Sequence, residues 1–449
     1  MKNIKYIFFG GAALVLFSLS SCKKTFFTDV NKNPNSPAAI PPATALTAAE
    51  VGLGYSVGGD MSRYTSLFTQ QTLGLARQSQ AYYQYTFTEQ DMDNLWLNLY
   101  VQTMTNLNNL QTLADAGKYH EYSGVARALL AYTLQMTVDC WGKIPYSEAF
   151  KGVANFHPKY DSDADVYAAI GTLCDDAITE LNNTDPGALT PSTDDLVYGG
   201  DATEWIKFVH AVKARLAIHQ SKNNPAMATT ALNEIAASFT ANTDNAAVVF
   251  GGSETNAASW YQFNEQRGDI DFPSSSLSAD MKANLDPRYT MYFDSTYNDI
   301  NFVGMGTYFQ NPDAPVELIT YDEIEMIKAE AIIRSGGGAA LAQTEFQAGI
   351  QASMDKLGVA APDAAAYIAA HGTLTAGNEL SQIGTEVWRC LYLNPEAWTT
   401  YRRIGSPSLT PVSGSSIPRR FLYPQAERSY NPNTPASETL FAPKVFWDN

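Results

Sequence analysis

Apolar side chains recur at helical spacing along most of the chain after about residue 43. Val125, Leu129, Tyr132 and Met136 fall at i, i+4, i+7 and i+11, which places all four on one face of a helix. Further periodic runs cover residues 91–116, 163–181, 205–216, 324–331, 342–357 and 383–393. Runs of this length and period predict a mostly α-helical protein.

Strand signals are short and scattered, as at residues 246–250, and no regular βα alternation occurs. This pattern argues against a Rossmann fold or an α/β barrel. The helical runs come in pairs of about 15 to 20 residues, the form expected of helix-turn-helix repeats of about 34 residues. Two sites carry capping-box signals, Asp201 with Glu204 and Thr320 with Glu323, before a periodic run.

Two long segments lack periodicity, residues 240–313 and the chain beyond Gly405. Both are rich in Gly, Pro, Asn and Tyr. Because long irregular segments on a regular scaffold commonly carry function, we expect the ligand-binding face to be built from such loops.

The N-terminus has the pattern of an export signal. Lys2 and Lys5 precede an uncharged apolar run that ends in Leu-Ser-Ser-Cys22, which resembles a bacterial lipobox. The prediction is a lipoprotein signal peptide at 1–21, a lipidated Cys22 opening a turn-rich tether at 22–42, and one helical domain at 43–449. An ordinary secretory signal with a chance cysteine is the alternative.

Charge and cysteine usage exclude several functions. The 46 acidic and 29 basic residues give a net charge of −17, so the chain would repel a nucleic-acid backbone. Cys140, Cys174 and Cys390 have no CxxC spacing and are predicted to be buried free thiols. The histidines never fall at i, i+4, so neither a metal site nor a cofactor is predicted.

No nucleophile-elbow, zincin or phosphate-loop motif is present. The Asp161-x-Asp163-x-Asp165 run lacks the glycine and glutamate of a calcium loop, so an acidic helix start is the favoured interpretation. Paired carboxylates for glycoside hydrolysis are defined by distance in space, and sequence leaves them open.

Clustered aromatic residues give the strongest signal for a ligand. Tyr82, Tyr83 and Tyr85 form one group, and Trp260 and Tyr261 form another, each in a stretch rich in Gln, Asn and Asp. Flat apolar faces flanked by hydrogen-bonding groups suit sugar rings. We therefore predict stacking on these aromatics, with the side chains that fix ligand orientation at Arg267 and Asp269. Packing of the same rings into the core is the alternative.

Arginines concentrate near the C-terminus of a very acidic chain, at positions 402, 403, 419, 420 and 428. Paired with carboxylates of the helical body, they would clamp the irregular tail onto it. A docking patch for an acidic partner is the alternative interpretation.

Several motifs together resemble the SusD/RagB family of outer-membrane lipoproteins. In chain order they are DVNKNPNSP after Cys22, DCWGKIPYSEAF at 139–150, YDSDADVYAAI at 160–170, NLDPRY at 284–289, TYDEIEMIKAEAIIR at 320–334, SSIPRRFLYPQAE at 415–427 and KVFWDN at 444–449. The likeness is to the SusD-like branch with the IPRR-x-x-YP tail, and it runs over essentially the whole mature chain.

The resemblance implies tetratricopeptide-like helix pairs with a loop-rich face that binds ligand. It also implies a lipoprotein at the cell surface of Bacteroidota that captures glycan, or in some cases peptide, and delivers it to a SusC-like TonB-dependent transporter. Acidic residues often follow the lipid-bearing cysteine in exported members, whereas Lys23 and Lys24 follow Cys22 here. Which face of the outer membrane the anchor serves is therefore left open.

Two further hypotheses belong to other classes. An all-α glycan-degrading enzyme would need two carboxylates facing each other across a cleft. A purely structural helical-repeat partner of a transporter would bind no small ligand.

Overall fold

Helices form most of the chain that the structure describes. A computed structural model describes residues 40–183, 185–294, 304–436 and 438–448; Cys22, and with it the predicted signal peptide and most of the tether, lies outside these ranges. In chain order the α-helices are α1 (Pro42–Tyr55), α2 (Ser62–Phe68), α3 (Arg77–Tyr83), α4 (Asp93–Leu97), α5 (Thr105–Gly117), α6 (His120–Trp141), α7 (Asp163–Leu181), α8 (Ala202–Gln220), α9 (Ala226–Ile235), α10 (Ser259–Gln266), α11 (Ser276–Ala283), α12 (Tyr289–Tyr292), α13 (Tyr321–Arg334), α14 (Ala339–Lys356), α15 (Ala361–His371), α16 (Glu379–Cys390), α17 (Glu396–Ile404) and α18 (Gln425–Tyr430).

The helices pack as pairs in sequence order, which confirms the predicted mostly α class. Helix α6 packs on α7, α8 on α9 and α13 on α14. Helix α6 is buried along nearly its whole length and lies at the centre of the largest apolar core. None of the helices in the described ranges combines the length and hydropathy that crossing a bilayer requires.

Of the two predicted capping boxes, the structure has the first N-cap and lacks the second. The Asp201 carboxylate accepts the backbone N–H of Thr203 at 2.9 Å and so caps α8. The box predicted at Thr320 is wrong, because the Glu323 carboxylate instead receives two N–H groups of the buried Arg215 at 2.6 and 2.7 Å. Glu323 is thus engaged in the ion pair between α8 and α13 and is not available to cap α13.

Strands are few and short within the described ranges, and they anchor the irregular segments. Strand β1 (Leu73–Gly74) pairs with β3 (Ile270–Asp271), and β2 (Ala246–Val248) pairs with β4 (Val316–Ile319), both antiparallel. The first pair joins the loop before α3 to the chain just after α10. It therefore brings together the two regions of the sequence that carry the aromatic clusters.

Two π-helical turns interrupt the first helices. They span Ser56–Met61 and Asn98–Met104, and the first contains the non-helical Gly59. Short 3₁₀ turns lie at Glu89–Met92, Gly152–Ala154, Asn242–Asp244 and Glu254–Asn256. Such π turns often mark functional sites because they redirect the side chains that follow.

The sequence predicts that the arginines near the C-terminus pair with carboxylates of the helical body, and only some of them do so. Arg428 pairs with Glu89 and so holds the tail to the body. Arg403 lies on α17, and its bidentate pair with Glu330 at 2.9 Å joins two helices of the body, α17 and α13. Arg419 and Arg420 instead pair with carboxylates of the tail itself. Arg402 lies between the rings of two tryptophans, its guanidinium carbon 3.7 Å from the centroid of Trp398 and 4.8 Å from that of Trp447.

The three cysteines after Cys22 are buried free thiols, as predicted. Burial raises the pKa of each thiol above its usual range. Within the described ranges, no group of three or more His, Cys, Asp or Glu side chains is arranged to hold a metal ion.

Candidate ligand-binding site

The two aromatic regions of the sequence meet at one cavity of about 510 Å³, here called the polar cavity. Four stretches of chain line it: the start of α2 with the π turn before it, helix α3, the segment 90–94, and the end of α10. Its walls are Asp60, Arg63, Tyr64, Leu67, Gln78, Ser79, Tyr82, Gln90, Asp91, Asn94, Phe263 and Arg267. The volume is in the usual range for small-ligand sites.

Three of the four charged side chains that line the polar cavity form ion pairs, whereas Asp91 accepts hydrogen bonds from Tyr82 and Thr88 and has no cationic partner among the described residues. Arg63 pairs with Asp60, three residues away on the helix. Arg267 lies 3.8 Å from Asp269, and that buried carboxylate also pairs with Arg77 at 3.2 Å. Because the cationic and anionic side chains balance, the cavity presents no excess charge to a ligand.

The aromatic walls are fixed by other side chains. Tyr82 stacks on Phe87 with ring centroids 4.3 Å apart, and the ring of Tyr64 lies edge-to-face with it at 5.1 Å. The Arg63 guanidinium carbon lies over the ring of Phe263, 4.6 Å from its centroid. The rings therefore offer rigid walls, part of whose surface is already covered.

The hydroxyl of Tyr82 is held in place as a hydrogen-bond donor. It donates to Asp91 Oδ1 at 2.6 Å, while Asp91 Oδ2 accepts the backbone N–H of Thr88 at 2.7 Å. Burial and the Asp91 carboxylate raise the pKa of Tyr82 well above its usual value, since both disfavour the phenolate. The phenol stays protonated over the physiological range of pH.

Three polar side chains in this cavity have no hydrogen-bond partner among the described residues. They are the hydroxyl of Ser79 on α3 and the amides of Gln90 and Asn94. Gln90 and Asn94 are exposed, and each amide can donate two hydrogen bonds and accept others. These groups are available to a ligand rich in hydroxyl groups or amides.

Only some of the site residues predicted from the sequence line the polar cavity. Tyr82 and Arg267 line the polar cavity, and Asp269 lies behind it as the buried partner of two arginines. Tyr83 and Tyr261 are half-buried and are not among the lining residues.

Two of the predicted stacking residues are core residues instead. Trp260 is 5% exposed and donates its indole N–H to Ser62 Oγ at 2.8 Å, and its ring packs edge-on against Phe272. Tyr85 is also buried, and its hydroxyl accepts the backbone N–H of Val412 at 3.2 Å. The physical reason is alternation along each run, because one side of a short helix or turn must face the core.

No sequence motif indicated most of the other lining residues. Asp60 and Arg63 follow Gly58 and Gly59, and a pair of glycines inside an otherwise periodic helix is the signal that could have indicated the π turn there. Gln90 and Asn94 carry no motif, since single amides are common on helix surfaces. The tertiary structure places them beside Phe263 and Arg267 in the cavity lining.

Comparisons with known proteins agree with this architecture. The sequence profile of the family SusD-like_2, described as "Starch-binding associating with outer membrane", matches residues 34–424. A comparison with curated proteins finds no match.

Several solved structures are similar to this chain. A SusD/RagB family protein from Bacteroides thetaiotaomicron is 21% identical with a TM-score of 0.77, covering 91% of this chain and 99% of its own. A chitin-binding protein is 24% identical with a TM-score of 0.77, covering 91% of this chain and all of its own. A chitin-binding SusD homolog from Flavobacterium johnsoniae is 23% identical with a TM-score of 0.69, covering 82% and 88%.

These structures share the helical fold described above. Because the sequence identities are below 25%, these structures are evidence for a shared fold only. The family profile matches most of the chain in sequence and is evidence for family membership. The chain therefore belongs to the SusD-like_2 family, and the description of that family is one of starch-binding proteins and not of enzymes.

Proposed function

We propose that this protein binds an uncharged oligosaccharide in the polar cavity and delivers it to a SusC-like TonB-dependent transporter of the outer membrane. The observation that carries the proposal is the set of unengaged hydrogen-bonding side chains, Ser79, Gln90 and Asn94, in a cavity whose charged side chains are all engaged within the protein. The family description and the chitin-binding proteins of similar fold support a glycan as the ligand class.

The chemistry of the cavity suits a sugar in two ways. Sugar hydroxyls are both donors and acceptors, so they match the amides of Gln90 and Asn94 without needing a charged partner. Sugar rings also have an apolar face, which can pack against the part of the Phe263 and Tyr82 rings that faces the cavity. Arg267 at the rim is held by Gln78 at 3.2 Å and is placed to fix the orientation of the ligand.

Calorimetry with maltoheptaose, chitohexaose and an uncharged pentapeptide tests the ligand class. We expect a glycan to bind and the peptide to fail, and we expect the Gln90→Ala/Asn94→Ala variant to lose most of the affinity. Binding of the peptide alone would replace glycan by peptide in the proposal. Unaltered glycan binding in the double variant would remove the polar cavity as the site.

We also propose that residues 1–21 are a signal peptide, that Cys22 carries the lipid, and that the single domain begins at about residue 43. Two or more acyl chains on one cysteine give stable anchoring to a bilayer, whereas one chain does not. Mass spectrometry of the mature N-terminus tests this, since a thioether-linked diacylglycerol should appear on Cys22. The Cys22→Ser variant should remain uncleaved and unlipidated.

The proposed partner and location have a separate test. A tagged copy of this chain, extracted from outer membranes in mild detergent, is expected to co-purify with the SusC-like transporter co-expressed with it. Protease added to whole cells should cleave the chain if it faces the exterior. Protection from the protease would place it on the periplasmic side and remove delivery from outside the cell.

A further inference from the structure

A second cavity, of about 410 Å³, lies beside the same stretch of chain that lines the polar cavity. Gln90, Asp91 and Asn94 line the polar cavity, whereas Asp93, Trp96 and Leu97 line the second one. Helix α4 thus presents different side chains to two different sites. We call the second site the apolar cavity, after the rings that form it.

Stacked aromatic rings form the wall of the apolar cavity. Trp96 and Tyr100 stack with centroids 4.5 Å apart and an interplanar angle of 29°, and Phe150 continues the stack beyond Tyr100 at 6.3 Å and 26°. Pro145, Pro158 and Pro424 complete the apolar lining. This is a rigid and apolar surface that needs little reorganisation to receive a side chain.

Unusually exposed apolar side chains surround the rings. Leu97 is 50% exposed, Val101 49% and Phe156 70%, and all three line the cavity. Val153, in the same loop as Phe156, is 86% exposed. These four are a third of the twelve large apolar side chains that are exposed in the described chain. Clustered exposure of this kind marks a surface that another molecule covers.

The polar groups of the apolar cavity are already used within the protein, in contrast to those of the polar cavity. The Tyr100 hydroxyl donates to the carbonyl of Pro145 at 2.9 Å, and the Thr105 hydroxyl donates to the carbonyl of Tyr100 at 2.8 Å. The side-chain oxygen of Asn155, Oδ1, accepts the backbone N–H of His157 at 3.1 Å. A sugar would find few partners here, so a glycan is a poor fit.

Two carboxylates in the lining lack a cationic partner among the described residues. Asp93 accepts the backbone N–H of Ala426 at 3.0 Å, and Glu427 accepts the hydroxyl of Tyr160 at 2.7 Å. Lys151 is the cation among the lining residues, and it is exposed. The cavity therefore carries a small net negative charge, which favours a basic group on the occupant and disfavours an anionic lipid surface.

We propose that the apolar cavity docks an extended segment of a protein partner. The segment would place one aliphatic or aromatic side chain against Trp96, Tyr100 and Phe156, and a neighbouring lysine or arginine against Asp93 or Glu427. An apolar anchor in a preformed pocket with a charged rim is the usual arrangement of a binding hot spot. This site is separate from glycan binding and does not depend on that proposal.

Selection from a displayed library of random heptapeptides on the purified full chain tests the inference. We expect the enriched peptides to share an apolar residue within two positions of lysine or arginine. Synthetic copies of them should bind at least about tenfold more weakly to Leu97→Asp and to Phe156→Asp. These residues lie on different elements and are half or more exposed, so one substitution at least should leave the fold intact.

Control variants make the outcome specific. Leu341→Asp alters an equally exposed leucine, 63% accessible on α14, and should leave peptide binding unchanged. Glu427→Gln keeps an acceptor for Tyr160 and should weaken basic peptides a few-fold while sparing uncharged ones. The inference is overturned if no peptide is enriched, if the enriched peptides are acidic, or if they bind the Leu97→Asp and Phe156→Asp variants as well as the unaltered chain. Binding of the chain to phosphatidylglycerol vesicles that is lost in Phe156→Asp would likewise replace the protein segment by a lipid surface.

Discussion

The two cavities beside helix α4 differ in how their polar groups are used. In the polar cavity, the positive and negative lining side chains are equal in number, and the amides of Gln90 and Asn94 are left without partners among the described residues. In the apolar cavity, the hydroxyls of Tyr100 and Thr105 are engaged and the charges of two carboxylates are left without a counter-ion. The first arrangement suits an uncharged polar ligand, and the second suits an apolar one with a basic neighbour.

The difference shows that aromatic content alone does not identify a sugar site. Both cavities contain aromatic rings, yet those of the polar cavity are partly covered by Phe87 and Arg63, while Phe156 in the apolar cavity is open to solvent. What distinguishes the cavities is the set of hydrogen-bonding groups that the fold leaves free. The hydroxyls that a sugar buries on binding must exchange water for protein hydrogen bonds, so free donors and acceptors favour one cavity over the other.

The largest expected effect concerns the ring that supports the polar cavity from within. Trp260→Ala should lower the free energy of unfolding by about 3–5 kcal/mol, because it removes a buried ring and leaves Ser62 Oγ without its donor. Glycan affinity of the protein that remains folded should change little, since Trp260 is not a lining residue. Urea unfolding followed by calorimetry measures both quantities.

A matched aromatic control for this variant is Tyr430→Ala, which removes a ring that is 78% exposed at the end of α18. Its stability should be unchanged within about 0.5 kcal/mol. If Trp260→Ala keeps full stability and loses glycan binding, the indole contacts the ligand and the polar cavity extends to it.

The next effect tests the free amides directly. Gln90→Ala/Asn94→Ala should weaken glycan binding by about 2 kcal/mol, or about 30-fold, because each amide provides at least one hydrogen bond worth about 1 kcal/mol. Peptide binding at the apolar cavity should not change. Calorimetry with chitohexaose or maltoheptaose measures the first quantity, and fluorescence polarisation with a selected peptide measures the second.

Two other glutamines provide the control for the double variant. Gln80 and Gln84 are exposed in and just after α3, make no side-chain hydrogen bond among the described residues and do not line the cavity. Gln80→Ala/Gln84→Ala should bind glycan normally. Equal losses in both double variants would contradict a site defined by Gln90 and Asn94.

Periodicity predicted much of the fold because burial of one helix face is a local property of sequence. The run at 163–181 is a helix with the same bounds, and the N-cap at Asp201 is present. The capping box at Thr320 failed because Glu323 pairs with Arg215, which is 108 residues away along the chain. Contacts over such distances override local signals, and a single sequence does not report them.

The site was predictable only in part for the same reason. The aromatic runs indicated the correct regions, since Tyr82 and Arg267 both line the polar cavity. Which rings face inward depends on how α10 lies against the π turn at Ser56–Met61, and that turn itself arises from Gly59. Gln90 and Asn94 become part of a site because both α4 and α10 pack against that same π turn.

A change of pH should alter the stability of the helical body rather than ligand binding in either cavity. Burial and the nearby carboxylate of Asp195 raise the pKa of Glu50 well above its usual value, while Asp195 is itself held by the indole N–H of Trp205 at 2.7 Å. Folding therefore favours the protonated form of Glu50 more strongly than the unfolded chain does. The contribution of Glu50 to the free energy of unfolding is fully present below the ordinary glutamate pKa, and it is lost as the pH rises toward the raised pKa.

Glu50→Gln tests this, because a glutamine amide stays neutral and can still accept the N–H of Leu196. The stability of the variant relative to the unaltered chain should increase between pH 5 and pH 8. Thermal unfolding at several pH values measures the difference, and glycan affinity should stay constant across the series. A constant difference in stability would contradict a protonated Glu50, and a parallel change in glycan affinity would link the body to the polar cavity.

The smallest expected effect separates charge from hydrogen bonding at the rim of the polar cavity. Arg267 is partly exposed, and its distance of 3.8 Å from Asp269 makes a weak ion pair. Arg267→Ala should therefore weaken an uncharged glycan only about threefold, and Arg267→Gln should restore most of the loss by donating from its amide. Calorimetry at 50 and 500 mM NaCl should give the same affinity for the unaltered chain, because no charge on the ligand is screened. A much larger loss in both variants, with strong salt dependence, would mean that the ligand carries a negative charge and that the pairing of Arg267 with Asp269 opens to receive it.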